Sequence, residues 1–147
     1  MRDGRIAESA ALAGLLSQLG HDVPAAWLAT WMKTMNRGTD RVLVAEEDGK
    51  PVGVGVLHIT PFLHEAGLRA RLTALVVDRQ ARSRGIGTLL LNACEEAAIQ
   101  MGCPALELTA GDWRRAAHRF YERHGYTHES RRYSKLLRRP PRTSTRK

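Results

Sequence analysis

The hydrophobic pattern of the first part of the chain predicts two helices. The segment from Ile6 to Leu19 predicts a short strand end followed by the first helix, AESAALAGLLSQLG, which Gly20 ends, a residue that often terminates helices. Its apolar positions recur at helical spacing: Leu12, Leu15, Leu16 and Leu19. Pro24 suits the start of the second helix, PAAWLATWMKTM. Its stripe, Trp27, Leu28, Trp31, Met32 and Met35, is typical of a core, although it also suits the wall of a substrate pocket.

Strands are predicted next, because the apolar spacing changes from helical to alternating. Residues 41–59, RVLVAEEDGKPVGVGVLHI, predict a hairpin with its turn at Asp48-Gly49. Gly53 and Gly55 leave one strand face bare, which indicates close approach of another backbone. After a predicted loop over 61–67, PFLHEAG, residues 68–78 predict a long strand whose end, LTALVV, is apolar on both faces, as in a central strand.

The last part of the chain alternates helices and strands again. A helix is predicted from Gly85 to Gly102, a strand at ALELT, and a helix from Trp113 to His124 that Gly125 ends. One or two closing strands are predicted over 126–137. The fold class is therefore α/β, with a mixed central sheet that is antiparallel in its N-terminal part and has helices on both faces. The later β-α-β crossover predicts one parallel strand pair.

Length and charge predict one domain with a basic tail. The 147 residues suit a single domain, which we place at 1–137. The net charge is +8, and eight of the 23 Lys and Arg residues lie within 131–147, a stretch without acidic residues, so the other 15 balance the 15 acidic residues. Residues 138–147, RRPPRTSTRK, predict a disordered tail. The tail carries no aromatic residue to stack on bases, so we expect no nucleic-acid partner.

The chain also predicts a cytoplasmic protein without a membrane partner. No apolar run approaches the ~20 residues of a membrane span. The N-terminus, MRDGRIAESA, lacks the apolar core of a signal peptide. Cys94 and Cys103 have no metal-type spacing, so we expect no metal and interpret both as reduced packing residues.

The segment RSRGIG, 82–87, predicts a site for an anion. It follows the central strand and opens a helix, whose N-terminus presents unpaired N–H groups and a partial positive charge. Gly85 and Gly87 let the backbone approach a ligand closely. Arg82 and Arg84 add forked cationic donors.

Three classes of phosphate-containing ligand are considered for this segment, beside the alternative that the helix start binds no ligand. A nucleoside-triphosphate loop needs a Lys-Ser/Thr pair that this segment lacks. A dinucleotide motif needs a third small residue where Leu90 stands, and an acidic residue at the end of a following strand, which is also lacking. Coenzyme A is the third class, since its pyrophosphate also suits a helix N-terminus. The glycine pattern by itself leaves coenzyme A and a ligand-free helix start open.

A wider comparison of motifs favours coenzyme A. The run 75–91, LVVDRQARSRGIGTLLL, resembles the acyl-CoA-binding motif of the GNAT superfamily of N-acetyltransferases, Arg/Gln-x-x-Gly-x-Gly/Ala after a central strand. Residues 114–126, RRAAHRFYERHGY, resemble the family's last helix, with the pairs Phe120-Tyr121 and Gly125-Tyr126. The hairpin 42–57 resembles its central strand pair, so the similarity covers nearly the whole chain in order. Arg114 departs from the pattern, since many members have Asn there.

The resemblance implies a fold and an activity. The fold would be GNAT-like, with the parallel pair of strands, the fourth and fifth, splaying apart. The protein would transfer the acetyl group of acetyl-CoA to a primary amine of a small molecule or peptide by direct attack in a ternary complex. A non-catalytic acyl-CoA-binding module of the same fold is the alternative. Members of this family often dimerise through sheet edges, so the resemblance also suggests a homodimer, although the sequence does not fix the oligomeric state.

The resemblance also assigns site residues. Backbone N–H groups near Leu75 and Val77 would bind the thioester and pantetheine arm. Amides of the helix start would hold the pyrophosphate, with Arg82, Ser83, Arg84, Gly85, Gly87 and Thr88 as the cofactor-binding set. Tyr121 would be the general acid toward the leaving sulfur, because a phenol keeps its proton at neutral pH.

The general base is not identified by the sequence. Glu65 and Glu107 are candidates, each with a simpler interpretation as a surface carboxylate, and a water chain is a further alternative. Three histidines, His58, His64 and His118, are more often packed or exposed side chains than catalysts. The identity of the acceptor stays open as well.

Overall fold

The computed structural model describes residues 1–129 and 131–137. They fall into two compact units, Met1–Thr109 and a second unit that begins at Ala110. The predicted tail, 138–147, lies outside the described residues. The division into one domain over 1–137 and a basic tail therefore stays a prediction.

The first unit is a five-stranded mixed sheet with three helices. In chain order its elements are β1 (Arg2–Asp3), α1 (Ser9–Gln18), α2 (Ala25–Thr34), β2 (Asp40–Glu47), β3 (Lys50–Phe62), β4 (Gly67–Val77), α3 (Ile86–Gln100) and β5 (Leu106–Leu108). The strands lie side by side in the order β1-β2-β3-β4-β5. Strands β1 to β4 pair antiparallel, whereas β4 and β5 are parallel, which confirms the predicted fold class.

The hairpin turn has the predicted chemistry. Asp48 and Gly49 both take positive φ, 52° and 77°, which two-residue hairpin turns require in order to match the strand twist. The predicted loop over 61–67 is shorter in the structure, because β3 continues to Phe62 and β4 begins at Gly67, opposite it. A 3-10 helical turn, Leu63–Glu65, and the left-handed Ala66 connect the two strands. Pro61 did not prevent this extension, since Leu68 pairs with it in the strand ladder.

One face of the sheet packs against α1 and α2. Valines that alternate along β2, Val42 and Val44, face this layer, as periodicity in a strand requires. The buried cluster consists of Leu12, Leu15, Leu16, Leu28, Met32, Val42, Val44, Val54, Ala74 and Val76. Burial of each Leu, Met or Val contributes roughly 1.5–3 kcal/mol. Only part of the aromatic stripe joins the core, since Trp31 is half-buried against it and Trp27 is 60% exposed.

The opposite face packs against α3, and the bare glycines explain how. A Cβ atom added at Gly53 would lie 3.3 Å from Leu90 Cδ2, and one added at Gly55 would lie 2.6 Å from Cys94 Sγ. The predicted close approach of another backbone is therefore corrected: the bare glycines make room for side chains of α3, Leu90 and Cys94. Burial raises the pKa of the Cys94 thiol to about 12 and also raises the pKa of Cys103. Both thiols are free and buried, as packing residues are.

The second unit contains one helix among its described residues, α4 (Arg115–Arg123). Gly125 follows with φ 87°, the left-handed conformation that ends the helix. The predicted closing strands are wrong for the described residues 126–129 and 131–137, which form no strand. Alternation gives a segment two faces, but a strand also needs a backbone partner, and sequence spacing does not supply one.

In the part of the chain that the structure describes, no helix combines enough length and apolarity to span a membrane.

Candidate functional site

The C-terminal half of β4 offers a backbone edge. Strand β5 pairs only with Ala70 to Leu72, so β4 continues to Val77 beyond the end of its parallel neighbour. The Asp78 N–H donates to Val52 O at 2.7 Å, which directs it toward β3. Because N–H directions alternate along a strand, the N–H groups of Leu75 and Val77 point away from β3. Within the described sheet no strand pairs with that edge, which is the predicted splay.

A bulge marks the point where the two parallel strands separate. The β3–β4 register shifts between Val56 and Leu57, which lie opposite Ala74 and Leu72, so Thr73 is the extra residue. The Thr73 hydroxyl donates to Val56 O at 3.4 Å. Bulges bend a strand and redirect its backbone groups. The bulge therefore separates the paired half of β4 from the half with the free edge.

The glycine segment forms the start of α3. Gly85 takes φ 79° at the N-cap position, and Ser83 takes φ 64°, so two left-handed residues turn the chain into the helix. The first intrahelical bond runs from Leu89 N–H to Gly85 O at 3.1 Å. No side chain caps this helix start. The N–H groups of Ile86 and Gly87 therefore belong to the first turn, where a helix attracts anions.

The two predicted arginines are placed differently. Arg82 Nε donates to Val77 O at 2.9 Å, which ties the segment to the end of β4. Arg84 pairs with Glu47 at 3.0 Å, and both side chains are about half exposed. An exposed ion pair of this kind contributes little to stability, so Arg84 can exchange Glu47 for a ligand anion at small cost.

Two residues that the sequence interpretation missed brace this segment. Gln18, the last residue of α1, accepts the Arg79 N–H at 3.0 Å and donates to Asp78 Oδ2 at 3.4 Å. Asp78 also accepts the Gln80 N–H at 2.8 Å, as the cap of a 3-10 turn. The Asp after the strand is a turn signal that the sequence offered. Gln18 carries no such signal, because it lies about 60 residues away along the chain.

The predicted acid lies in the second unit. Tyr121 is on α4, half-buried, with ring centroids 5.3 Å from Phe120 and 5.7 Å from Tyr126. The motif residues therefore form one aromatic cluster. His118 Nε2 lies 2.9 Å from Gly111 O, so this histidine donates to the backbone and braces the start of α4. Arg114 occupies the N-cap position of the helix without a side-chain cap bond.

The two carboxylates considered as bases are both held by arginine. Arg69 lies 2.5 Å from Glu65 and 3.1 Å from Glu107, and Arg71 lies 3.6 Å from Glu107. The Arg69 guanidinium also stacks over the Phe62 ring at 4.7 Å, and the two carboxylates raise its pKa. Carboxylate lone pairs engaged by guanidinium groups are poor proton acceptors. These two residues are therefore structural ion-pair partners in this arrangement.

Comparison with known proteins agrees with the fold. A model of the acetyltransferase (GNAT) family matches residues 12–126. The aminoalkylphosphonate N-acetyltransferase of Salmonella typhimurium is 39% identical over 94 residues, which are 64% of this chain and 61% of that protein. An uncharacterized N-acetyltransferase of Methanocaldococcus jannaschii is 35% identical over 103 residues, 69% of this chain and 45% of that protein. The matches thus span less than two thirds of these curated relatives.

Solved structures show the same architecture. A chain from Agrobacterium tumefaciens superposes with a TM-score of 0.79 over 92% of this chain and 97% of its own length, at 25% identity. Glucosamine-6-phosphate N-acetyltransferase of Arabidopsis thaliana superposes with a TM-score of 0.77 over 93% and 97%, at 23% identity, which shows a shared fold. Since the family model covers more than half of the sequence, the chain belongs to the GNAT family of acetyltransferases.

Proposed function

We propose that the protein is an N-acetyltransferase that moves the acetyl group of acetyl-CoA to the primary amine of a small molecule. The observation that carries this proposal is the continuity of two features. The backbone edge of β4 ends at Val77, and the uncapped start of α3 follows a few residues later. The name of the Salmonella relative, an aminoalkylphosphonate N-acetyltransferase, supports a small amine as the acceptor.

Acetyl-CoA suits these two features in turn. Its pantetheine arm carries amide groups, which add to a free strand edge as an extended peptide does. Its pyrophosphate suits the N–H groups of Ile86 and Gly87 at the start of α3. The cofactor-binding set of the proposal is Leu75, Val77, Arg82, Ser83, Arg84, Gly85, Gly87 and Thr88.

The chemistry requires three things of the protein. The thioester carbonyl must be polarised, and the N–H groups of Leu75 and Val77 are donors of the right kind. The attacking amine must be neutral, which requires a proton acceptor. The departing thiolate must gain a proton, and we assign that role to Tyr121. The support for this assignment is the matched helix motif and the chemistry of a phenol.

Calorimetric titration of the protein with acetyl-CoA, with NADH and ATP as controls, tests the proposed ligand. We expect selective binding of acetyl-CoA. The variant Gly87→Glu adds a side chain and a negative charge in the first turn of α3, so affinity should fall at least tenfold, about 1.4 kcal/mol. Gly14→Glu is the control, because its side chain would enter open space on α1 and affinity should not change. Equal affinity of Gly87→Glu and the unaltered protein would contradict the proposal.

A second assay separates an enzyme from a binding module of the same fold. Tyr121→Phe removes one hydroxyl and keeps the ring, so acetyl-CoA affinity should persist. We expect kcat with an aminoalkylphosphonate or another accepted amine to fall roughly 10²–10⁴-fold. If acetyl-CoA binds but no member of a broad panel of primary amines is acetylated, the protein is a non-catalytic binding module. If Tyr121→Phe keeps full turnover, Tyr121 is not the acid.

A further inference from the structure

A row of polar residues crosses four strands on the face that carries α1 and α2. Asp40 lies opposite His58, His58 opposite Arg71, and Arg71 opposite Glu107. Directly opposed residues share one face of a sheet. Asp40 alternates with Val42 and Val44, so this polar row extends the face whose remaining part forms the core. Trp31 of α2 contacts it, with its ring 5.9 Å from that of His58.

The Asp40–His58 pair fixes the direction of the imidazole. His58 Nδ1 lies 2.8 Å from Asp40 Oδ1, and a carboxylate can only accept, so Nδ1 carries the hydrogen. The neutral ring then presents an unprotonated Nε2. Among the described residues no hydrogen bond reaches Nε2. The side chains of His58 and Asp40 are 32% and 23% exposed, so water and a ligand reach the pair.

The other side chains that the sequence offered as bases do not combine a hydrogen bond to a carboxylate with an open acceptor atom. Glu65 and Glu107 are held by Arg69, and His118 Nε2 donates to Gly111 O. His64 is 76% exposed and lies 3.7 Å from Glu65, without a fixed orientation from a strand partner. His58 is therefore the candidate whose open acceptor atom is oriented by a carboxylate.

The polar row lies where the free edge of β4 begins. Arg71 precedes Leu72, the last β4 residue that pairs with β5, and Thr73 is the bulged residue that follows. The row and the N–H groups of Leu75 and Val77 thus lie on consecutive segments of one strand pair. An acceptor bound on the row approaches the edge on which we place the thioester.

We propose that this row is the acceptor site and that His58 Nε2, oriented by Asp40, removes the proton of the acceptor amine, an inference that rests on the proposed function. Asp40 brings negative charge to a bound ammonium group, and Trp31 offers an aromatic face to it, whereas Glu107 is held by Arg69 and Arg71. Arg71 faces His58 from β4 and is paired with Glu107, so its charge is partly neutralised. The site suits a small primary amine rather than an alcohol or a thiol.

The proposed transfer begins at the amine. The ammonium group transfers one proton to Nε2, directly or through one water, and His58 becomes an imidazolium that later releases the proton to solvent. The neutral nitrogen attacks the thioester carbonyl carbon, so a C–N bond forms and the C–S bond breaks. The sulfur leaves with the bonding electron pair and takes one proton from the proposed acid. The nitrogen loses a second proton, which returns through water to that acid and restores it. The products are the amide and the free thiol.

His58→Gln tests the assignment, because glutamine can hydrogen-bond to Asp40 but cannot take a proton at neutral pH. We expect kcat with an accepted amine to fall roughly 10²–10⁴-fold at neutral pH. In the pH profile of kcat/KM, the fall toward low pH that arises from a group of the enzyme, and not from the amine, should disappear. The affinity for acetyl-CoA should stay unchanged. Asp40→Asn keeps the hydrogen bond without the charge and should reduce kcat less. His64→Gln is the control and should match the unaltered protein in rate and profile.

The outcomes separate this inference from the proposed function. Failure of the unaltered protein to bind acetyl-CoA would overturn the proposed function and the inference together. Transfer by His58→Gln at full rate with an unchanged pH profile would overturn only the role of His58. A higher KM for the amine with an unchanged profile would also overturn it, since His58 would then only bind. Nitrogen NMR of the histidine side chains needs no acceptor: a hydrogen on Nε2 of neutral His58 would contradict the inference.

Discussion

The contact between β3 and α3 predicts that even one methyl group at Gly55 destabilises the first unit. In Gly55→Ala the new Cβ would lie 2.6 Å from Cys94 Sγ and 3.5 Å from Leu75 Cδ1. Ordinary contacts between such atoms are roughly 3.5–4 Å, so the sulfur or the helix must move by about 1 Å. Cys94 is completely buried, which leaves its side chain little room to rotate.

The expected magnitude follows from known cases of overpacking. Extra methyl groups in a well-packed core cost about 1–3 kcal/mol of unfolding free energy. For a protein of this size, that loss lowers Tm by roughly 2–12 °C. Because α3 carries Gly85 and Gly87 at its start, the same shift should weaken acetyl-CoA binding as well.

Urea unfolding monitored by circular dichroism, with parallel thermal melts, measures the effect. Gly14→Ala is the matched control, since its Cβ meets nothing within 4 Å and alanine should stabilise α1 by about 0.5–1 kcal/mol. Cys94→Ala alone should cost about 1 kcal/mol for one buried atom. The double variant Gly55→Ala/Cys94→Ala should lose about 1 kcal/mol less than the sum of the two single losses, because it removes the colliding sulfur.

Two results would refute this reasoning. The first is a Gly55→Ala variant as stable as the unaltered protein, which would mean that α3 does not lie against the bare strand face. The second is a double variant whose loss of unfolding free energy equals the sum of the two single losses, which would mean that the Gly55→Ala loss does not come from a collision with Cys94.

Three further predictions follow from single contacts. Arg2 lowers the pKa of Glu8 by a hydrogen-bonded ion pair, so Glu8→Gln should reduce the free energy of unfolding by about 1 kcal/mol at pH 7. Urea unfolding at a series of pH values should show that this loss persists down to the ordinary pKa of 4.5 and fades as the pH falls through the lowered pKa of Glu8, and a loss that does not depend on pH would contradict the prediction. Gln18→Ala should weaken acetyl-CoA binding by calorimetry roughly 5–10-fold, since it removes two hydrogen bonds to the segment before α3, with unchanged affinity as the contrary result. Cys94, whose pKa burial raises to about 12, should react with a thiol reagent at pH 8 only as fast as the protein unfolds, and immediate labelling would contradict its burial.

Local patterns predicted most of the elements. The leucine spacing predicted α1, the turn Asp48-Gly49 predicted the β2–β3 hairpin, and Gly85 and Gly125 marked a helix start and a helix end. These features depend on residues within one turn or one strand, so neighbouring letters contain the physical cause. The glycine segment predicted a site for an anion, which stays a prediction, because a helix N-terminus and a left-handed glycine are local properties. The prediction of closing strands over 126–137 failed because strands depend on distant partners.

Only the tertiary structure decided the relations between strands. Asp40, His58, Arg71 and Glu107 are scattered along the sequence, and the register of three strand pairs aligns them. Glu65 and Glu107 were candidate general bases by residue type, but in the structure both form ion pairs with Arg69. Gln18 reaches Asp78 for the same reason, since α1 packs against the sheet and its last residue lies beside the end of β4. The sequence by itself determined most of the elements and the family motif. Long-range packing decided which polar side chains meet, because that depends on register and burial rather than on neighbouring residues.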